Sequence, residues 1–213
     1  VVSLGEQPLA IKDFAGHWLD VNTLVWQSVS EDIAMVKLHH SAEAGIAADA
    51  ENGDAINGTA AELTPVDLTD EQKAAAPLVS DWPAYSVDFS VDEAKNVVRN
   101  QLVLVAYDAE STPIEATYVQ ADLILDDLYT KGEDDANEAM LGVMYENGTP
   151  SVAVWSPTAQ DVKLKVYNAE KSETATHQMT VDPMTGIWSY AGDASLDRQY
   201  YRFELTLYHH QNK

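Results

Sequence analysis

Cysteine is absent from this 213-residue chain, which excludes disulfides, thiolate chemistry and zinc–cysteine sites. Positive charge is scarce. Twelve Lys and Arg face 35 Asp and Glu, for a formal net charge of −23 and a pI near 4.2. Such a surface repels phosphate backbones and anionic headgroups, so nucleic acid is not an expected partner, whereas a neutral polysaccharide is not repelled. No apolar run approaches the roughly 18–20 residues that cross a bilayer, and no membrane insertion is expected. The start, Val1-Val2-Ser3-Leu4-Gly5-Glu6, lacks both a methionine and the basic-then-apolar pattern of a leader. The end, Tyr208 to Lys213, follows a strand-like run without a closing turn. Both termini are expected to be cut points in a longer protein.

What the chain does contain is apolar residues, at 46% enough for a folded core, and they recur with period two. Tyr85, Val87, Phe89 and Val91 alternate with polar residues, as do Val162, Leu164 and Val166, and again Tyr201, Phe203, Leu205 and Leu207. Each pattern predicts a half-buried strand. Gln101–Tyr107 is apolar on both faces and predicts a central strand. Asn147-Gly148, Asp182-Pro183 and Thr185-Gly186 supply turns. Short strands at this spacing predict an all-β chain: two consecutive antiparallel β-sandwich, immunoglobulin-like domains with a few short helices. Thr69-Asp70-Glu71-Gln72 has capping-box spacing ahead of an alanine run, and Asp122 is placed to cap a helix through Tyr129. Ala42–Ala61, rich in Ala, Gly, Asn and Asp, reads as a long exposed loop. The charged stretch Lys131–Glu138 offers nothing to bury and reads as the interdomain linker, giving domains at 1–135 and 138–213.

Metal and catalytic chemistry find little support. Asp49, Glu51, Asn52 and Asp54 cluster oxygens around Gly53 but lack the spacing and distal bidentate Glu of a calcium loop. His39-His40 and His209-His210 are adjacent pairs whose rings diverge along a strand, so no metal site is assigned. Asp126-Asp127 and Asp134-Asp135 are neighbours that point apart in either helix or strand, unlike a working carboxylate pair.

The second domain carries the most specific signature: Leu141-Gly142-Val143-Met144-Tyr145, a turn, then Val152-Ala153-Val154-Trp155-Ser156-Pro157-Thr158-Ala159-Gln160-Asp161-Val162. With Gly186-Ile187-Trp188 and Tyr200-Tyr201-Arg202-Phe203-Glu204, this resembles the family-48 carbohydrate-binding module that precedes the catalytic barrel in pullulanases, limit dextrinases and isoamylases. Ser156 stands where the family usually has alanine. His17-Trp18-Leu19-Asp20, Leu24-Val25-Trp26, Pro83-Ala84-Tyr85 and Ile124–Tyr129 resemble, in the same order, landmarks of the N2-type β domain lying just before that module.

The resemblance implies a non-catalytic N-terminal piece of a pullulanase-type enzyme acting on α-1,6 branch linkages of starch, glycogen or pullulan. In that family the catalytic acids stand on a (β/α)₈ barrel, and this chain shows no barrel pattern, so the piece itself is expected not to be an enzyme. The implied partners are the catalytic barrel of the same polypeptide and branched α-glucan, with no cofactor in this piece, room for calcium in the parent enzyme, and a secreted or cell-surface location. The implied role is docking and control of substrate access, and the 138–213 module is expected to stop short of its last strand. That missing strand is expected to leave an edge able to pair with a neighbouring molecule. Two alternatives remain: a true starch- or glycogen-binding pair, or an unrelated immunoglobulin-like surface or adhesion protein. Sugar modules stack pyranose rings on exposed aromatics, which makes Trp18, Trp26 and Trp82 the candidates for carbohydrate contact. Trp155, Pro157, Thr158, Trp188 and Tyr201 are the family signature and are expected to be structural. Asn168–Ser172, where glycogen-binding members present a tryptophan, holds no aromatic residue.

Overall fold

In this computed structural model, residues 9–49, 55–131 and 136–208 are described. The chain divides into two compact units, Val1–Leu128 and Tyr129–Lys213. His209, His210, Asp134, Asp135 and most of the acidic loop after Asp49 lie outside the described residues.

Unit 1 contains β1 (Ile11–Asp20), β2 (Thr23–Trp26), β3 (Met35–Ser41), β4 (Ala48–Asp49), β5 (Ala55–Ile56), β6 (Thr59–Val66), β7 (Ala84–Ser86), β8 (Gln101–Tyr107) and β9 (Pro113–Gln120). Three helices accompany them: α1 (Asp70–Ala75), α2 (Val91–Val97) and α3 (Asp122–Tyr129). The ladder runs β1-β2-β7-β6-β3-β8-β9 and closes on itself. The closing pair, β1 with β9, is parallel and the other neighbours are antiparallel. All seven residues of β8 are buried, as expected of a strand apolar on both faces.

That second face is covered by the segment the sequence presents as an exposed loop. Ile46, 4% exposed, packs with Val103, Val105, Tyr107 and Ala116, and Met35 and Ile56 border the cluster. The buried Gln101 side chain accepts from the Gly45 and Ile46 N–H groups, fixing the cover to β8. The loop expectation therefore fails around Ile46: one large apolar residue among small polar ones suffices to pin the segment. From Thr59 the chain pairs with β3 as β6.

The predicted strand through Val91 also fails. β7 ends at Ser86, and Ser90 caps α2 with a reciprocal capping box to Glu93. Two satisfied orphan donors at the helix start outweigh the alternating pattern. α1 begins, as the sequence predicts, on the Thr69–Gln72 box.

One buried carboxylate ties unit 1 together. Glu115 on β9, 4% exposed, accepts from Lys12 Nζ at 2.9 Å, from the Ser28 and Ser30 hydroxyls, and from the Val29 and Ser30 N–H groups. Burial alone would raise its pKa, but these donors outweigh it and hold the carboxyl at about 2.

Unit 2 contains β10 (Gly142–Glu146), β11 (Thr149–Trp155), β12 (Asp161–Tyr167), β13 (Glu173–Gln178), β14 (Thr180–Val181), β15 (Ile187–Ala191) and β16 (Tyr200–Thr206). Two antiparallel sheets, β10-β11-β15-β14 and β13-β12-β16, contribute to one core. Its buried members are Val152, Ala159, Val162, Leu164, Val166, Met179 and Trp188. The inward residues of β12 are the alternating Val162, Leu164 and Val166 of the sequence pattern, at most 3% exposed. Asn147 and Gly148, at φ 50° and 81°, form the turn that Asn-Gly favours between β10 and β11.

Candidate glucan-contact surface

Two tryptophans build the corner of unit 2. Ser156-Pro157-Thr158-Ala159 turns the chain between β11 and β12, with the Ala159 N–H donating to the Ser156 carbonyl and proline at the position its fixed φ suits. Trp188, 5% exposed, donates its indole N–H to the Ser156 carbonyl at 3.0 Å. The half-buried Trp155 donates its own to the Thr185 carbonyl at 2.9 Å. Each ring thus pins the loop beside the other's strand, Val154 and Trp188 being direct partners across β11 and β15. Pro157 is buried and Thr158 half-buried.

Gly186 completes the corner. It holds φ +70°, and a Cβ there would lie 2.7 Å from Pro157 Cβ. Gly186→Ala combines backbone strain with that clash. It is expected to cost about 2–3 kcal/mol in chemical denaturation, against a few tenths for Gly148→Ala beyond its own φ penalty, since a Cβ at Gly148 meets nothing within 4 Å.

The candidate stacking rings of unit 1 fare unequally. Trp18 and Trp26 are both 0% exposed. A ring with neither face in solvent cannot stack on a pyranose, so these two residues are corrected from sugar contacts to core. Burial of this kind arises from packing of non-neighbouring strands and is ambiguous in the local alternation. Trp82 keeps part of its surface. Its ring lies against His17, 5.5 Å between centroids, and packs on the cluster of Leu19, Val25, Leu68 and Val79. Burial lowers the pKa of His17, opposed by nearby Asp122.

Unit 2 supplies a surface that local sequence reading misses. Tyr167 and Tyr200 are direct partners across β12 and β16, and Lys165 and Arg202 are the next pair on the same face. The Arg202 guanidinium sits 5.7 Å from the centre of the Tyr167 ring. Tyr167, Tyr200 and Arg202, with Lys171 and Tyr201, line an open cleft of about 290 Å³. Tyr200 is 59% exposed. Lys171 is presented by a tight turn in which Asn168 accepts from Lys171 and Ser172. Exposed aromatic faces beside fixed N–H donors suit a neutral polyhydroxylated ring, which needs both an apolar face and hydrogen-bond partners. The pairing of residues 33 positions apart was the missing signal: only the β12–β16 register brings the two rings together.

Tyr201 occupies the opposite face of β16 from Tyr200 and meets Phe203 edge-on at 5.5 Å. It also borders a smaller apolar cavity of about 110 Å³ with Val143, Tyr145, Leu164 and Val166. Among the described residues no group of three or more His, Cys, Asp or Glu is arranged to hold a metal ion.

The family model of the pullulanase N2 domain matches residues 14–127. This chain belongs to the pullulanase N2 domain family. Directly after that domain, residues 140–213 match carbohydrate-binding module 48, the isoamylase N-terminal domain. Pullulanase from Klebsiella pneumoniae is 33% identical over 200 residues, which is 92% of this chain and 17% of that protein. Chloroplastic pullulanase 1 of Arabidopsis thaliana is 26% identical over 133 residues. The solved structure of K. pneumoniae pullulanase complexed with maltotriose superposes with a TM-score of 0.84 at 31% identity, covering 94% of this chain and 18% of that one. The N2 and module-48 pair therefore spans about a sixth of the length of the Klebsiella pullulanases it matches.

Proposed function

We propose that this N2–module-48 pair is a non-catalytic part of a pullulanase-type glycoside hydrolase acting on the α-1,6 branch linkages of starch, glycogen or pullulan. Its work is to dock beside the catalytic barrel of the same polypeptide and shape the approach of branched α-glucan. A secreted or cell-surface setting belongs to this reading and rests on the family resemblance. The observation that carries docking over recruitment is the fate of the tryptophans. Trp18, Trp26 and Trp188 are consumed by cores, Trp155 is half-buried in a corner, and Trp82 is partly covered. The large flat platforms on which glucans stack are thus mostly spent on folding.

A second reading, true glucan recruitment, is favoured by one observation, the cleft of Tyr167, Lys171, Tyr200 and Arg202. Titration of the chain with pullulan, glycogen and β-cyclodextrin, followed by tryptophan fluorescence and by calorimetry, separates the two. Docking predicts no saturable signal up to about 10 mM sugar units. Saturable binding abolished by Tyr200→Ala would assign recruitment to this cleft, and loss on Trp82→Ala would assign it to unit 1.

A further inference from the structure

The two adjacent histidines of β3 are not equivalent. His40 is half-buried and meets the Asn100 side chain at 3.3 Å. His39 is 4% exposed and joins two separate elements, the outer wall of the ladder and the cover formed by residues 45–49 and 55–57, in which β4 and β5 pair. Its Nδ1 lies 3.1 Å from the Asn57 carbonyl and its Nε2 lies 2.7 Å from the Tyr107 hydroxyl. A carbonyl only accepts, so Nδ1 carries the ring proton and Nε2 accepts from Tyr107. Asn57 passes this anchor on through the cover: its side chain accepts from the Ala47 N–H and donates to the Gly45 carbonyl. Gln101 of β8 separately holds the Gly45 and Ile46 N–H groups.

A second ring proton does not fit this arrangement. An N–H at Nε2 would confront the Tyr107 hydroxyl, which must then turn its own hydrogen away where Tyr107 is only 8% exposed. Burial raises the Tyr107 pKa, so the phenol does not ionise to balance the new charge. The charged and titratable groups around His39 are Lys37 and His40 on β3, Tyr107 on β8, and Glu62 on β6, which pairs with Lys37 at 3.5 Å. Lys37 also stands 5.7 Å from the centre of the Tyr107 ring. Asp49 is the described carboxylate of the cover, but both nitrogens of His39 are already taken. Burial lowers the His39 pKa below its ordinary 6.5, opposed by the Asn57 hydrogen bond and reinforced by Lys37 and His40.

We propose that His39 is an acid-operated latch: neutral, it clasps the β4–β5 cover to β3 and β8, and protonated, it lets that cover open. Opening bares the apolar wall of Val103, Val105 and Tyr107 on which Ile46 packs. The closed cover prefers the neutral ring and the open state takes up a proton more readily. Closure is therefore complete above about pH 6.5 and weakens as pH falls below that value. Glu115 acts lower, below about pH 4.5, so the two effects fall in separate windows.

The test is amide hydrogen exchange of the whole chain, read by NMR between about pH 7.5 and 5.0 and corrected for the intrinsic rate. Protection at Gly45, Ile46 and Ala47 is expected to fall about tenfold across that range, while the amides of β8 keep theirs. His39→Gln still offers a side-chain N–H to the Asn57 carbonyl but takes up no proton, so it should abolish the fall. His40→Gln should leave it intact. The proposal is overturned by unchanged protection in the unmodified chain, by a fall that β8 shares equally, by the same fall in His39→Gln, or by its loss in His40→Gln. Should His39→Gln fail to fold, the unmodified chain still decides, because the His39 ring resonances must titrate in step with the loss of protection at Gly45 and Ile46. The latch concerns unit 1 alone, and neither outcome bears on the docking reading, which concerns sugar binding and the barrel.

Discussion

Replacing Trp188 by alanine is expected to remove about 3–5 kcal/mol of stability from unit 2, the usual range for deleting a fully buried aromatic ring. The ring is 5% exposed and belongs to a core cluster drawn from both sheets, with Val152 from one and Val162, Leu164 and Val166 from the other. Its indole N–H also satisfies the Ser156 carbonyl at the turn into β12. Truncation therefore opens a cavity and removes one of the two N–H groups, with that of Ala159, that the Ser156 carbonyl accepts, and the two costs act at the same place. For a domain of this size each kcal/mol lowers the midpoint by roughly 4–8 °C, so a fall of more than about 12 °C is expected by circular dichroism. Trp155→Ala provides the internal comparison. That ring is half-buried at the corner, and its loss should cost about half as much. A Trp188→Ala chain within about 1 kcal/mol of the unmodified one would mean that the ring does not hold the sandwich.

Glu115→Gln is the second large effect, expected at about 2–4 kcal/mol in unit 1. The amide keeps the shape but replaces one acceptor oxygen with a donor, in a site where five N–H and O–H groups already converge. The Ser28–Ser30 segment then loses its anchor to β9. The same carboxylate makes unit 1 acid-sensitive. Its folded pKa, about 2, lies below the ordinary value of 4.5, so the charged form binds the fold more tightly than the protonated form. The stabilisation is complete above about pH 4.5 and drains away as pH falls toward 2. Urea denaturation at pH 7, 4 and 2.5 should show the Glu115→Gln penalty shrinking with acid. A penalty independent of pH would contradict a charged, donor-rich site at Glu115.

Much of this architecture is legible in the sequence where the determinant is local. The strict alternation of β12, the doubly apolar β8, the Asn147-Gly148 turn and the Thr69–Gln72 capping box all stand in the structure as their patterns require. The family signature around Trp155 and Pro157 likewise forms a real corner, with indole hydrogen bonds that explain why ring and proline occur together. Long-range packing is where local reading loses ground. Ser90 and Glu93 begin a helix inside an alternating pattern, because end-group satisfaction outweighs periodicity over so short a run. Trp18 and Trp26 lie in a stretch whose alternation does not reveal which face is inward, and closure of the ladder by the parallel β1–β9 pair belongs to no single segment. The Tyr167–Tyr200 cleft depends on which strands become neighbours, and that follows from the whole fold.

The central claim is that these two units serve a catalytic barrel carried by the same polypeptide. Sequencing the gene across and beyond codon 213 tests it most directly. The expected result is a continuous reading frame that completes the module and enters a (β/α)₈ pattern with catalytic carboxylates at the ends of barrel strands. A frame that closes without a barrel, or that runs into an unrelated domain, would contradict it.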